Sequence, residues 1–187
     1  TVEHTLSLHD ALPIAVGGLA LDIVTKILAV SSLDPQNPVR LLGGLLTLRI
    51  IRNPGAAFSL GEGATVFFAL LAVAALAVVG IWMAPKVAVR SWAIATGLLL
   101  AGIAGNLVDR LFRAPGVFRG HVVDFLQLPY FGAIFNVADM CLTFAAATIV
   151  VISLTSKTSM TGAPVTPDKA KAAAGTADTA VTETPDA

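Results

Sequence analysis

The chain has 187 residues, of which 56% are hydrophobic and 13% are charged, and its mean hydropathy is +0.82. A water-soluble domain of this size could not cover so much apolar surface, so the composition indicates a membrane protein. The formal net charge is zero and there is no basic stripe, which argues against nucleic-acid binding, while a single cysteine excludes an intrachain disulfide framework.

Four apolar stretches are long enough to cross a bilayer, whose hydrocarbon core of ~30 Å requires about 20 helical residues. The second stretch has no ionisable residue and is expected to face lipid. The other three carry Asp, Lys, Arg or Asn side chains, which should face a bundle interior or a wet cavity because a charge at the bilayer centre costs on the order of 3 kcal/mol. We predict the spans at Ala11–Val30, Ala64–Ala84, Trp92–Val108 and Ile134–Leu154.

An even number of spans places both ends of the chain on the same side of the membrane. The short link between the second and third spans carries Lys86 and Arg90, which favours a cytoplasmic link and cytoplasmic termini. The two long loops on the other face carry more arginines, and that count by itself favours the inverted orientation. Because several of these arginines lie in motif-like segments, we predict that the long loops are extracytoplasmic.

The loop before the second span contains a candidate strand. Leu46–Ile50 alternates apolar and polar residues with period two and leads to the turn-forming sequence Asn53-Pro54-Gly55. A second short strand, His121–Phe125, is expected to pair with it. The predicted fold class is therefore an all-α membrane protein with a small β element, built from four transmembrane helices and a small extracytoplasmic sheet.

The two ends of the chain differ from this membrane domain, which we place at residues 11–156. Residues 1–10 lack a positive segment and a processing site, and we expect them to be an atypical, truncated or non-native start. From residue 157 to residue 187 the chain is rich in Ala, Thr, Pro, Lys and Asp without an apolar period. Such a composition cannot bury enough surface to fold, so it predicts a disordered cytoplasmic tail.

Two carboxylates near the fourth span are candidates for chemistry. Asp124 lies just before that span, and Asp139 lies about one turn into it. A loop that folds back over the helix end can bring both into one pocket, where repulsion and partial desolvation make them share a proton. One then acts as general base on a water while its protonated partner polarises a scissile carbonyl. The alternative is an ordinary loop carboxylate and a helix-start or salt-bridge residue.

Polar side chains at the outer end of the third span share one helical face. Asn106, Asp109 and Arg110 stand at i, i+3 and i+4, and Asn136 precedes Asp139 by three residues. Such groups can orient a carboxylate or hold a substrate's backbone carbonyls, but interhelical hydrogen bonding is an equally good interpretation. The same span has small residues that permit close helix packing, namely Gly97, Ala101, Gly102 and Gly105.

In the first span, Asp22 and Lys26 stand at i and i+4. We interpret them as an intrahelical ion pair of structural importance, with Lys26 free to snorkel towards the interface. No His or Cys residues stand at metal-ligand spacing, so neither a metal nor another cofactor is expected; the residues concerned are His4, His9, His121 and Cys141.

Five sequence blocks together strongly resemble the motifs of the lipoprotein signal peptidases, also called signal peptidase II, in order, spacing and placement on the spans. The resemblance covers about residues 15–155, and it implies that Asp124 and Asp139 are the two catalytic aspartates of an aspartic endopeptidase. The blocks are Asp22-x-x-Thr25-Lys26, Asn53-Pro54-Gly55-Ala56-Ala57-Phe58-Ser59, Gly105-Asn106-Leu107-Val108-Asp109-Arg110, Val122-Val123-Asp124-Phe125 and Phe135-Asn136-Val137-Ala138-Asp139.

The same resemblance implies a substrate, a location and further site residues. The substrate is a prolipoprotein whose lipobox cysteine bears diacylglycerol, cleaved just before that cysteine at the extracytoplasmic side of the bacterial inner membrane. It also implies inhibition by globomycin, and we expect a monomer surrounded by membrane lipids. Positions that shape the pocket or hold the substrate are Asn53, Gly55, Asn106, Arg110 and Asn136, whereas Asp22, Lys26 and Asp109 are motif positions with a structural role.

Two other classes of protein remain as alternatives. A small transporter would use Asp22, Lys26, Asp109 and Asp139 as a proton or ion relay, but such a relay usually comes with repeat symmetry, and the second span has no ionisable group. A non-catalytic membrane assembly factor would tolerate asparagine at both positions of the aspartate pair.

Overall fold

The computed structural model describes residues 3–55, 62–129, 132–155 and 159–163. The described chain is mainly helical, with a small sheet between the helices in sequence. A π-helix, Val78–Met83, and a 3-10 turn, Ala84–Lys86, extend the second helix. The elements are α1 (Glu3–Ser32), β1 (Val39–Leu41), β2 (Leu46–Asn53), α2 (Glu62–Ala77), α3 (Arg90–Phe112), β3 (Val122–Gln127), β4 (Ile134–Phe135) and α4 (Val137–Thr155).

Within the described residues, four helical stretches are long and apolar enough to cross a membrane, at His9–Ser32, Thr65–Lys86, Arg90–Phe112 and Val137–Thr155. The predicted all-α membrane fold with a small sheet is thus confirmed, with shifted boundaries. The fourth helix begins at Val137 instead of Ile134 because Ile134 and Phe135 pair with β3 and Asn136 then provides the helix cap.

Helix α3 is the centre of the bundle, because it packs against each of the other three helices. Its small residues allow this close approach. A Cβ atom at Gly102 would lie 2.6 Å from the backbone oxygen of Ala138 in α4, and one at Gly97 would lie 2.6 Å from that of Ala11 in α1. Helix α2 packs mainly on α3 and exposes large apolar side chains, as expected of a lipid-facing span; they include Phe67, Leu70 and Leu71.

The sheet has four antiparallel strands in the order β1-β2-β3-β4. The predicted pairing of the two candidate strands is confirmed, with Ile51 opposite Asp124 and a register shift between Leu48 and Ile51. Ile50, Val123 and Phe125 pack with Ala29 of α1 in a small apolar core. The sheet is therefore attached to the end of α1, and this attachment places β3 beside the bundle.

The described structure covers part of each end of the chain. Helix α1 begins at Glu3, so residues 3–10 continue the first helix. In the predicted tail, the Ala88 amide donates to the Met160 carbonyl at 3.0 Å, and Met160 packs on Val87 and Ala93. Residues 157–158 and 164–187 lie outside the described residues, so the atypical start and the disordered tail stay predictions.

We predict that Gly102→Ala lowers the free energy of unfolding by about 1–3 kcal/mol, because the added methyl group would overlap the Ala138 carbonyl and the Leu142 side chain of α4. Gly17→Ala is the matched control. A Cβ there meets nothing within 4 Å, so helix propensity should leave that variant as stable as the parent or up to ~1 kcal/mol more stable. Thermal unfolding in detergent measures both, and equal melting temperatures would contradict the proposed close contact.

Candidate active site

All the predicted site residues lie in one cluster at the end of the bundle that carries the sheet. Hydrogen bonds and ion pairs connect them across α1, α3, α4, β2 and β3. Most of the ionised groups in this cluster are fully buried, although the cluster lies at the edge of the membrane spans. Its members are Asp22, Lys26, Asn53, Gly55, Asn106, Asp109, Arg110, Asp124, Asn136 and Asp139.

Asp124 lies in the middle of β3 with a side chain that is only 2% exposed. Each of its carboxylate oxygens accepts one hydrogen bond from an amide. The Nδ2 atom of Asn53, at the end of β2, donates to Oδ2 at 3.0 Å, and the Nδ2 atom of Asn136 donates to Oδ1 at 2.6 Å. Asn53 is itself held by the turn, since its Oδ1 accepts the Gly55 amide at 2.8 Å.

Asn136 and Asp139 form a reciprocal cap at the start of α4. The Asn136 side-chain oxygen accepts the Asp139 amide at 3.0 Å, and the Asp139 Oδ2 accepts the Asn136 amide at 3.2 Å. This arrangement is a capping box, which satisfies backbone donors that a helix start otherwise leaves unpaired. Because Asn136 also donates to Asp124, one residue contacts both carboxylates and holds them side by side.

Asn106 of α3 is hydrogen-bonded to Asp139. Its Nδ2 donates to the Asp139 Oδ1 at 2.8 Å. Its Oδ1 accepts two hydrogen bonds, one from Lys26 and one from the Asn136 side chain, both at 3.2 Å. The Asn106 amide therefore has one orientation that satisfies all three partners.

Lys26 is buried at the base of the cluster between two carboxylates. Its Nζ lies 2.8 Å from Asp22 Oδ2, which confirms the predicted intrahelical pair, and 2.9 Å from Asp109 Oδ2 on α3. The expectation that Lys26 snorkels to the interface is wrong, because its side chain is 1% exposed and is neutralised by these partners. Asp109 also pairs with the Nε atom of Arg113 one turn further along α3.

Arg110 lies next to Asp124 and Asp139, and its guanidinium group is only partly hydrogen-bonded. One terminal nitrogen donates to the Asn106 carbonyl at 3.0 Å, and the guanidinium lies 6.0 Å from the centroid of the Phe68 ring. Its buried Nε has no hydrogen-bond partner among the described residues. Arg110 borders a largely apolar cleft of about 170 Å³ between α2, α3 and α4, lined also by Phe68, Leu71, Ala72, Ala75, Gly102, Ile103, Asn106 and Leu142.

Burial raises the pKa of Asp124 to about 6, an effect that the hydrogen bond from Asn53 opposes and the charge of Asp139 reinforces. A carboxyl group with this pKa exchanges its proton close to neutral pH, as acid–base chemistry requires. In the described part of the chain, no group of three or more His, Cys, Asp or Glu side chains is arranged to hold a metal ion.

Sequence reasoning missed three residues that border or support the cluster. The hydroxyl of Thr65 donates to the Pro54 carbonyl at 2.6 Å and so ties α2 to the turn after β2. Phe68 flanks Arg110, and Arg113 neutralises Asp109. The i, i+4 spacing could have identified Arg113. A threonine and a phenylalanine in an apolar helix carry no comparable signal.

Residues 14–155 match a protein family described as Signal peptidase (SPase) II. The lipoprotein signal peptidase of Leifsonia xyli subsp. xyli (strain CTCB07) is 49% identical over 134 residues, which are 72% of this chain and 62% of that protein. The match therefore spans less than two thirds of that relative. The lipoprotein signal peptidase of Mycobacterium avium (strain 104) is 48% identical over 144 residues, or 76% of this chain and 78% of the relative.

A solved bacterial membrane enzyme, determined by the in meso method at 1.9 Å resolution, has a similar fold with a TM-score of 0.69 and 28% sequence identity. The similarity covers 78% of this chain and 93% of that one. The helical bundle, the small sheet and these similarities define a multi-pass bacterial membrane protein. The family model matches most of the chain, and the chain belongs to the signal peptidase II family.

We predict that replacing Asp124 changes how stability depends on pH. The pKa of Asp124 is about 6 in the folded protein and has an ordinary value of 3.8, so folding is favoured at low pH and this contribution is lost as the pH rises through 6. The stability of Asp124→Asn relative to wild type should therefore increase by roughly 2 kcal/mol between pH 4 and pH 7.

Thermal unfolding in detergent over that pH range measures the difference. Asp34→Asn is the control, because Asp34 is exposed and hydrogen bonds from Gln36 and Asn37 lower its pKa. That variant should show no such increase. If the difference in stability between Asp124→Asn and wild type does not change with pH, the Asp124 carboxyl has the same pKa in the folded and the unfolded protein, and the prediction is wrong.

Proposed function

We propose that this protein is a membrane aspartic endopeptidase that removes signal peptides from diacylglyceryl-modified prolipoproteins, cleaving before the lipidated cysteine. The observation that carries the proposal is the contact of Asn136 with both Asp124, which is buried, and Asp139, which is partly buried, at one end of a membrane bundle. Membership of the signal peptidase II family and relatives named lipoprotein signal peptidase support the substrate class.

The pair can hydrolyse an amide with one carboxylate ionised and the other protonated. The ionised carboxylate takes a proton from a water, whose oxygen attacks the scissile carbonyl carbon, while the protonated carboxyl donates a hydrogen bond to the carbonyl oxygen. When the tetrahedral intermediate collapses, the C–N bond breaks and the leaving nitrogen receives a proton from the pair. The shared proton belongs to the pair as a whole, since interacting carboxyls titrate together.

The surrounding amides suit this chemistry because they orient both carboxylates without saturating them. Asn53 and Asn136 each donate one hydrogen bond to Asp124, and Asn106 and the Asn136 backbone each donate one to Asp139. A carboxylate oxygen has two lone pairs, so each keeps capacity for a water or a peptide group. Rigid donors of this kind preorganise the site before substrate binds.

The cleft between α2, α3 and α4 is suited to an apolar substrate segment. Its walls are apolar side chains, and its polar end is formed by Asn106 and Arg110. The signal helix enters laterally from the bilayer, its acyl chains remain in lipid, and Arg110 holds a backbone carbonyl of the unwound cleavage segment. With both termini in the cytoplasm, the pair lies at the extracytoplasmic surface, where water can reach it.

All the groups used in this mechanism come from one chain, and the reaction uses no cofactor. Asn53, Gly55, Asn106, Arg110 and Asn136 shape the pocket, with Gly55 serving the turn that holds Asn53. Gly55 adopts a φ of 98°, a left-handed conformation that favours glycine. We propose that the enzyme acts as a monomer.

We predict that Asp124→Asn and Asp139→Asn each lower kcat/KM by roughly 100-fold to 10,000-fold, because an amide can neither accept nor donate the transferred proton. Asp34→Asn, which alters an exposed loop carboxylate, should retain full activity. The assay is cleavage of a diacylglyceryl-modified precursor by purified, folded enzyme in detergent, with globomycin as the inhibitor control. Full activity of either site variant would exclude the proposed pair, and inactive wild type would exclude the peptidase proposal.

We further predict a strong preference for lipid-modified precursor, because acyl chains anchored in the bilayer reduce the entropy lost on placing the cleavage segment across the pair. The kcat/KM values for the same precursor with and without the diacylglyceryl group measure this preference. Equal values would remove the lipid group from the recognition mechanism while leaving the aspartate pair in place.

A further inference from the structure

Lys26 contacts three side chains. Each of them accepts or donates a further hydrogen bond that ends at one of the two aspartates or at the residue just before it, and we call each such route a path. Its Nζ contacts Asp22 at 2.8 Å, Asp109 at 2.9 Å and the Oδ1 atom of Asn106 at 3.2 Å. The ammonium group donates a hydrogen bond to Asn106 and forms ion pairs with the two carboxylates. Buried at the base of the site, this ammonium does not itself contact Asp124 or Asp139 through any described hydrogen bond or ion pair.

Two of these paths end at the backbone amide immediately before an aspartate. Asp22 pairs with Lys26 through Oδ2, and its Oδ1 accepts the amide of Ala138, which precedes Asp139, at 2.8 Å. Asp109 accepts the amide of Val123, which precedes Asp124, at 3.1 Å through the same Oδ2 that contacts Lys26. The two carboxylates flanking Lys26 therefore each hold one of the chain segments that present the pair.

The third path runs through a side chain. Because Lys26 has only donors, the atom of Asn106 that it contacts must be the carbonyl oxygen. This leaves the Asn106 nitrogen directed at Asp139 Oδ1, to which it donates at 2.8 Å. A neutral group without donors at position 26 would remove one of the two donors that fix the orientation of the amide, and the Asn136 side chain would be the one that remains.

We propose that Lys26 is a positioning residue for the peptidase reaction, which holds Asp124 and Asp139 in register by way of Asp22, Asp109 and Asn106. This inference rests on the proposed function. It goes beyond a structural ion pair, because a residue that only stabilises the bundle would affect the amount of folded protein and leave the kinetics of the folded enzyme unchanged.

The charge of Lys26 provides a second, independent readout. Lys26 on α1 opposes the rise in the pKa of Asp124, whereas the charge of Asp139 on α4 adds to it. Arg110 on α3 is the other charged group facing Asp124, and Asn53 on β2 is neutral. Loss of the Lys26 charge should therefore raise the pKa of Asp124 further.

The main test is the double variant Lys26→Met and Asp22→Asn. Methionine approximates the length of the lysine stem, asparagine keeps an oxygen for the Ala138 amide, and removing one charge of each sign keeps the buried charge balanced. We expect kcat for the lipid-modified precursor to fall about 100-fold with KM within about threefold of wild type, as for a misplaced catalytic group. The pH profile should shift upwards, because the charge of Lys26 acts on the pKa of Asp124 more strongly than the charge of Asp22 does.

Asp22→Asn alone is the second variant, because it retains Lys26 and removes the carboxylate that neutralises it. The inference requires its pH profile to shift in the opposite direction, downwards. Lys86→Met is the matched control, since Lys86 is exposed beside Trp82 on the link between α2 and α3 and contacts no site residue. Thermal unfolding and size-exclusion chromatography show which variants are folded, and kinetic constants are compared only for those.

The outcomes separate this inference from the function on which it rests. Wild type that does not cleave the precursor overturns both. Wild type that is active, with inactive Asp124→Asn and Asp139→Asn variants, supports the function. In that case the Lys26 inference is overturned if the folded double variant keeps kcat within about threefold and an unshifted pH profile. If the double variant does not fold, an unchanged kcat and pH profile in Asp22→Asn overturns it.

Discussion

The structure depends on the neutralisation of one buried ammonium group by two carboxylates. Moving Lys26 out of water costs several kcal/mol, as does moving Asp22 and Asp109, and their mutual ion pairs and the hydrogen bonds around them offset that cost. Because the partners come from α1 and α3, the ion pairs fix how these helices pack. Gly105 contributes by its size, since a Cβ there would lie 2.5 Å from Asp22 Oδ2.

The same two carboxylates also accept backbone hydrogen bonds, which connect α1 and α3 to the sheet and to α4. Asp109 accepts a backbone amide of β3, and Asp22 accepts one from the first turn of α4. A strand of the sheet and a membrane helix are thereby held against the same charged centre. The capping box of Asn136 and Asp139 then uses an ordinary helix start to place a carboxylate next to Asp124. Three membrane helices, α1, α3 and α4, and the strand β3 therefore meet in one polar cluster.

This arrangement reconciles two needs of the proposed reaction. In that mechanism the two carboxyls need partial desolvation to exchange a proton near neutral pH, and burial supplies it for Asp124. They also need water and a peptide, which a fully closed bundle would exclude. Placing the pair at the end of the spans, beside an apolar cleft that ends at Arg110, gives the proposed substrate a path from lipid while the sheet covers the charged side.

The sequence by itself determined the four spans and the paired strands, because apolar length and period two are local signals. The five motif blocks named the residues that the structure brings together in one polar cluster. Spacing also predicted the Asp22–Lys26 pair. Only the tertiary structure decided that Lys26 is buried instead of snorkelling, that Asn136 joins the two aspartates, and that Met160 packs on the link between α2 and α3. These outcomes depend on partners distant in sequence, and a local pattern cannot reveal which groups will share a desolvated space.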